Sequence, residues 1–348
     1  RNNTMKKLMV AAVAATMASV SMADVSIKGD AFFSFANKDT GVAASANGNR
    51  DRSRMRLFVS GKSGATTVTG IIRNNGDTGI ENSDFDGKKS LHMDQLFLTT
   101  KLGDVNVKAG DFRGTVGLGA WSFAGAKKNA LSVSTKVGGV KVGMFTADGS
   151  DTNGTSGSNS TNVSVAGKVS GATVKAVHNP NSEWTNLSVS GKFNGLSVGA
   201  EHHKDSTSGA TQKVTLLHVG GKAGNFGWDV ARYTNKDAAA GSNAIWAPLG
   251  SMLVGASARG GTDTAAANAG DFSKILGVAV NTKVAGNTVK AIYTKSTIGA
   301  ADKVTGAELI LTRNVSGGKL TANLAKLSDH DTAATNGTNK GIRFDVKF

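Results

Sequence analysis

The chain has 348 residues, 45 of them glycine, with two prolines and no cysteine. Lack of cysteine excludes a disulfide framework and any thiolate metal or redox centre, and large aliphatic side chains are too sparse for the thick core of a soluble domain this long. The formal net charge is +15, but the cations are scattered through alternating segments and few aromatics accompany them, so the charge does not describe a nucleic-acid surface.

The first element is an export signal. Met5-Lys6-Lys7 precede the apolar run Leu8–Val20, and small residues follow at Ser21 and Ala23. A short positive segment, an apolar stretch and a small-residue cleavage site make a secretory signal peptide. Cleavage after Ala23 leaves a mature barrel domain over 24–348 and removes Arg1, Lys6 and Lys7. The apolar run falls short of the roughly 20 residues that a spanning helix needs, and no other stretch approaches that length.

Beyond residue 23 the hydrophobic period is two. Strands are predicted at 24–36, 52–62, 65–75, 91–102, 105–111, 129–137, 140–147, 161–170 and 172–179. Others follow at 184–193, 196–204, 211–220, 225–234, 272–283, 287–296, 306–314, 319–328 and 340–348. Many are joined by tight turns such as Gly103-Asp104, Gly138-Gly139 and Asn194-Gly195, the last being the strongest hairpin dipeptide. Polar stretches at 148–161, 260–271 and 330–339 are long loops, and 243–261 reads as either a loop or one more hairpin. Short turns at one end and long loops at the other, with an even strand count, are the rhythm of an outer-membrane β-barrel.

The stretch 51–61 gives that rhythm chemical content. Arg52, Arg54 and Arg56 alternate with Met55, Leu57 and Val59, so one face of the strand is cationic and the other apolar. Three arginines facing lipid would cost about 6–12 kcal/mol. A water-filled lumen keeps them hydrated and gives the apolar face to acyl chains. The same parity puts Lys28, Asp30, Arg73 and Lys108 inside.

The segments "DVSIKGDAFFSF", "RSRMRLFVSGKSG", "KLGDVNVKAGD" and the terminal "GIRFDVKF" together resemble the general diffusion porins of Gram-negative bacteria, particularly the alpha-proteobacterial kind. The resemblance covers nearly the whole mature chain. It implies a homotrimer of 16-stranded barrels in the outer membrane, in contact with lipid and lipopolysaccharide. It implies also that the outward series Phe344, Val346 and Phe348 is a signal read by the barrel-assembly machinery. The third external loop, Asp111–Asn129, is expected to fold inward and face Arg52, Arg54, Arg56 and Arg73. Unlike the family pattern, this loop holds a single acid, Asp111, against Arg113, Lys127 and Lys128. An opposing negative wall is thus missing or supplied from elsewhere, for instance by Asp30. A basic lumen without facing carboxylates concentrates anions, so anion preference is expected.

The remaining motifs point to no catalysis, cofactor or metal. Acids Asp77, Glu81, Asp84 and Asp86 lack the ligand spacing of a calcium loop. His202 and His203 are adjacent and so face opposite ways. No nucleophile stands in a recognisable triad motif. A secreted or surface-attached β-rich adhesin is the alternative reading; it would show a fixed repeat period, which the segment lengths here lack.

Overall fold

A computed structural model describes residues 25–39, 48–49, 52–74, 91–114, 116–118, 120, 125–147, 160–206, 211–236, 249, 272–298, 302–329 and 337–348. The expected export segment, the acidic stretch 75–90 and all of 243–261 except Leu249 lie outside the described residues.

The chain forms one antiparallel sheet closed on itself. Its strands are β1 (Val25–Asp39), the two-residue β2 (Gly48–Asn49), β3 (Arg52–Ser63), β4 (Thr66–Asn74), β5 (Leu91–Leu102) and β6 (Val105–Gly114). There follow β7 (Gly125–Val137), β8 (Val140–Ala147), β9 (Ser160–Val169), β10 (Ala172–Asn179), β11 (Trp184–Phe193), β12 (Leu196–Asp205) and β13 (Gln212–Ala223). The last are β14 (Phe226–Lys236), β15 (Phe272–Val284), β16 (Asn287–Ile298), β17 (Asp302–Val315), β18 (Gly318–Asp329) and β19 (Gly337–Lys347). β2 is a stub paired to the end of β1, which leaves eighteen long strands. That is the number the hairpin rhythm predicts, not the sixteen implied by the family resemblance.

Each long strand pairs with its neighbours in sequence, and β1 pairs with β19 to close the ring, Ala31 opposite Val346 and Phe33 opposite Phe344. The Gly29 N–H donates to the Phe348 carbonyl at 2.6 Å and the Phe348 N–H returns to the Gly29 carbonyl at 3.0 Å. Closure removes the exposed edges that an open sheet would present.

The tight turns gather at one end. Asn194 (φ 47°) and Gly195 (φ 81°) both adopt the left-handed conformation that a two-residue hairpin turn requires, as their sequence predicts. At the other end lie the longer connections, though three of these are short here: 180–183, 206–211 and 299–301.

β6 and β7 differ from expectation. The ladder extends to Gly114 opposite Gly125, so the connection spans 115–124 and not the whole of 111–129. A bulge makes this possible. Gly110 sits at φ 119°, and a Cβ there would lie 2.3 Å from the Leu96 carbonyl oxygen. Only glycine fits that position, and the kink lets the strands pair beyond it.

Burial is inverted relative to a soluble protein. Ile27, Phe33 and Phe35 on the outer face are 67%, 52% and 63% exposed, whereas Asn186 and Glu201 on the inner face are 0% and 1% exposed. An apolar exterior around a polar interior suits a barrel whose outer solvent is hydrocarbon. The inner face is not polar throughout. Val214, Leu216, Tyr233 and Ile275 on β13–β15 point inward and are fully buried, together with Leu249 from the β14–β15 connection. A Cβ on Gly277 would come within 2.4 Å of Leu249 Cδ1, so the glycine makes room for that leucine against the wall.

Candidate functional site: the inner wall of the barrel

Antiparallel pairing puts cross-strand partners on the same face, and the ladders β19–β1–β3–β4 thereby assemble a basic sector. Arg56 stands opposite Asp30 on one side and Arg73 on the other. The Arg56 Nε donates to Asp30 Oδ1 at 2.9 Å and its Nη2 to Oδ2 at 2.6 Å, while Arg54 Nη2 is 4.0 Å from Asp30 Oδ1. Arg73 Nε lies 3.1 Å from Asp94 Oδ1 and 3.3 Å from His92 Nε2. The Phe32 ring sits between two guanidinium groups, with Arg54 at 4.9 Å and Arg343 at 4.0 Å from its centroid. Arg343 is also paired to Asp345.

Of the two expectations for the opposing negative charge, the structure shows the second, supply from elsewhere, with Asp30 on Arg56. Asp30, Asp94 and Asp345 supply that charge from the same or adjacent strands, so the negative groups come from the wall itself. Planar guanidinium groups with bidentate partners and an aromatic face are held in fixed directions.

The remaining expected residues distribute as follows. Arg52 is in register opposite Ser34, on the inner parity, but its side chain is outside the described set. Lys28 shares the inner parity, opposite Phe58, and stands exposed, apart from the arginine cluster. Lys108 faces inward, its Nζ 3.9 Å and 4.1 Å from the Phe97 and Phe112 ring centroids. Asp111 does not face the arginines. It pairs opposite Leu96, on the outer parity, and accepts the Asn129 N–H at 2.8 Å within the bulge. Arg113 and Lys127 belong to the β6–β7 ladder and not to a loop; their side chains, like that of Lys128, lie outside the described set. Phe344, Val346 and Phe348 carry the outward parity of the last strand.

A residue not expected from sequence organises the β6–β7 connection. Glu201 of β12, across the barrel interior, accepts the Leu118 and Ala120 N–H groups on Oε2 at 2.7 and 2.8 Å, and Asn186 Nδ2 on Oε1 at 2.6 Å. Gly117, immediately before Leu118, has φ 64°, and a Cβ there would fall 2.3 Å from Glu201 Oε1. The loop is therefore drawn onto the wall of β11 and β12 by one buried carboxylate, and its closest residue has to be glycine.

Beside that loop two cavities open on the inner wall. One of about 430 Å³ is lined by Phe112, Val116, Ser132, Ser134, Lys141, Asn162, Ser164 and Lys175 among others. The second, about 410 Å³, includes Thr99, Lys101, Asn106, Lys108 and again Lys141. Neither lining contains a carboxylate. Phe112 meets Phe97 and Phe145 edge to face, with centroids 6.1 and 5.9 Å away. The cavities combine ammonium groups, hydroxyls and aromatic edges. Parity alone identifies Lys141 and Lys175 as inward, but only the ladder brings them together: both stand opposite Ala166 of β9, Lys141 on β8 and Lys175 on β10. Among the described residues no cluster of His, Asp and Glu is arranged to hold a metal ion.

No protein-family model and no curated protein sequence matches the chain. Solved structures do. OpdK from Pseudomonas aeruginosa, crystallised with vanillate, aligns over 94% of this chain and 99% of its own at TM-score 0.63 and 9% identity. OccK9 (OpdG) from the same organism aligns over 95% and 100% at TM-score 0.66 and 11% identity. A BenF-like porin from Pseudomonas fluorescens covers 93% and 98% at TM-score 0.63 and 11% identity. At such identities the likeness is one of fold: a closed barrel of outer-membrane type, aligned nearly end to end.

Proposed function

We propose that the chain forms a channel in the bacterial outer membrane through which small hydrophilic solutes diffuse passively, without catalysis, and that the channel prefers anions. The observation that carries the channel is the inverted burial of a closed barrel, apolar outside and charged inside. Such a wall is stable only with lipid on one side and water on the other. The near end-to-end likeness to a BenF-like porin and to OpdK supports the same reading.

The anion preference rests on the cavities. Lys101, Lys108, Lys141 and Lys175 line them with serine, threonine and asparagine and without a carboxylate, whereas Arg56, Arg73 and Arg343 each pair with an aspartate and Arg54 shares that of Arg56. The lysines, not the arginines, therefore set the sign of the potential that a passing ion meets. The vanillate bound in OpdK is an aromatic carboxylate, and an anion with a flat apolar body would suit Lys141 and Lys175 beside Phe112 and Phe145. The β6–β7 connection, held by Glu201, acts in this reading as the constriction. Export by the N-terminal signal, a trimeric assembly, recognition of the Phe348 end by the barrel-assembly machinery, and kinship to general diffusion porins of the alpha-proteobacterial type complete the proposal.

Reconstitution in a planar bilayer, with reversal potentials measured across a KCl gradient, tests it. Ohmic conductance steps with an anion-selective potential are expected. Cation selectivity would overturn the assignment of the lysines, and absence of channels from folded protein would overturn the porin itself.

A further inference from the structure

Lysine recurs at one place in the hairpins. Lys62-Ser63, Lys101-Leu102, Lys136-Val137 and Lys168-Val169 each run directly into a two-residue turn, and Lys192-Phe193, Lys222-Ala223 and Lys283-Val284 do the same. Every odd-numbered strand from β3 to β15 thus has lysine as its penultimate residue. The residue after each lysine takes the outward parity, and Leu102, Val137, Val169, Phe193 and Val284 stand exposed there. The lysines take the inward parity: Lys136 continues Ser132 and Ser134, Lys168 continues Ser164 and Ala166, and Lys101 itself lines the smaller cavity. All of them are exposed, at the mouth of the barrel and not in its packed interior.

Their neighbours carry little negative charge. Across the hairpins Lys62 meets Thr67, Lys101 meets Asn106, Lys168 meets Thr173, Lys192 meets Ser197 and Lys283 meets Thr288. Lys222 meets Gly227, and Lys136 meets a second lysine, Lys141. The pattern alters on β18 and β19, where Lys319 and Lys347 stand opposite Asp345 and Asp30. From β3 to β16 the mouth is an arc of ammonium, hydroxyl and amide groups, with Asp104 of the β5–β6 turn as the carboxylate on its level among the described residues. Asp229 lies one row deeper, its Oδ1 3.1 Å from His218 Nε2. The loop end of the same wall is different: its inner face carries Asn179, Asp205, Asn235 and Ser296 on β10, β12, β14 and β16.

A lysine that only anchored its strand at the lipid boundary would point outward and reach along the wall for water. These point inward, where the outward neighbour is apolar. Adjacent strands lie about 4.8 Å apart, so successive lysines, two strands apart, are separated by roughly 10 Å at the backbone. Their flexible stems shorten that gap toward the barrel axis. A monovalent ion meets one ammonium group at a time, whereas a chain of negative charges meets two or three together. Like charges held side by side repel, and a polyvalent anion relieves that repulsion while releasing several small counterions. The threonine, serine and asparagine beside the lysines supply donors to phosphate oxygens.

We propose that the turn-end mouth of the barrel is a binding site for multivalent anions of the oligophosphate class, held by lysines of two or three neighbouring hairpins at once. This rests on the reading of the chain as an anion-preferring channel and adds a second, one-sided station to it. On β9–β15 that station shares no lysine with the cavities beside Phe112.

Isothermal titration calorimetry of the detergent-solubilised protein with tripolyphosphate tests the site, with inorganic phosphate as the single-phosphate arm. Tripolyphosphate should bind at least about tenfold more tightly than phosphate, with an affinity that falls steeply as salt rises. Each ammonium–phosphate contact in water contributes about fivefold, so Lys168→Gln/Lys192→Gln/Lys222→Gln should bind tripolyphosphate about a hundredfold more weakly. Lys168→Arg/Lys192→Arg/Lys222→Arg should retain binding. Lys204→Gln/Lys213→Gln/Lys236→Gln removes the same charge from the outer face at the loop end and should bind as wild type. Heat-dependent gel mobility verifies that each variant is folded. In a planar bilayer, tripolyphosphate should reduce the current at lower concentration from one side than from the other. Equal tripolyphosphate affinity in the first glutamine triple and wild type would overturn the proposal. So would equal affinity of wild type for tripolyphosphate and phosphate, or equal block from both sides. Calorimetry needs no open channel: binding without conductance sinks only the porin, and anion-selective conductance without binding sinks only the mouth site.

Discussion

Glu201 on β12 accepts the Leu118 N–H at 2.7 Å although 83 residues separate them in sequence. With Ala120 and Asn186 as further donors, the carboxylate has three hydrogen bonds and is sealed from solvent. A single acid on the wall thereby fixes the position of a connection that starts on the far side of the interior.

Glu201→Ala should release that connection. Hydrogen bonds to a charged acceptor contribute about 1.5–3 kcal/mol each, and the amides left behind find water in the lumen, so a net loss of about 3 kcal/mol of local stability is expected. The reading is single-channel current: larger and noisier conductance than wild type, with unchanged heat-dependent gel mobility. Conductance identical to wild type would show that the loop does not narrow the path.

Gly117→Ala tests the same geometry from the other partner. Its φ of 64° and the 2.3 Å approach to Glu201 Oε1 leave no room for a methyl group. Strain of this kind costs about 1–3 kcal/mol. The variant should shift conductance in the same direction as Glu201→Ala. The double variant should add little, because both changes break one contact.

Asp30→Asn removes the bidentate partner of Arg56 and the nearest carboxylate to Arg54. Both groups are partly exposed, so the stability change should stay near 1 kcal/mol. The selectivity change should be larger, since an uncompensated arginine is added to the wall. Reversal potential in a KCl gradient should move further toward chloride, and a move toward potassium would contradict the assignment.

Lys141→Glu/Lys175→Glu reverses the charge of the larger cavity. Anion preference should fall, read directly as a sign change in the reversal potential at low salt that shrinks as ionic strength rises and screening shortens. An unchanged potential would mean that ions bypass this sector.

The sequence carried the strands because lipid on one side and water on the other enforce a period of two. Arg52, Arg54 and Arg56 against Met55, Leu57 and Val59 is that boundary written in side chains. It did not carry the bulge at Gly110. A lone glycine within "VKAGDF" has no signature of φ 119°, and without the kink β7 was expected to begin at 129 and not at Gly125. Asp111 was expected on the inward-folded loop because the strand was expected to stop there, whereas it stays on the ladder at the outer parity. Glu201 escaped notice because two of its three partners are backbone amides, which every residue owns. The packed inner sector escaped too, since "VTLLHVGG" places Leu216 and Leu217 on opposite faces and both are leucine. Which one is inside was decided by Tyr233, Ile275 and Leu249 from other strands.

Among the described strands, the seam between β1 and β19 is the ladder that joins segments roughly three hundred residues apart, whereas the other long strands pair with the next long strand in sequence. Loop-closure entropy grows only with the logarithm of length, so sealing this seam costs about 2 kcal/mol more than closing a hairpin-sized loop. Its influence on folding speed is greater than that sum implies, because the sheet can grow strand by strand through local steps until the final ring closure. Until then two unpaired strand edges remain. In kinetic terms the barrel is a local folder with a single non-local step, and a chain rejoined across the seam and reopened at Gly138-Gly139 would move that step to β7 and β8 while leaving the finished ring the same.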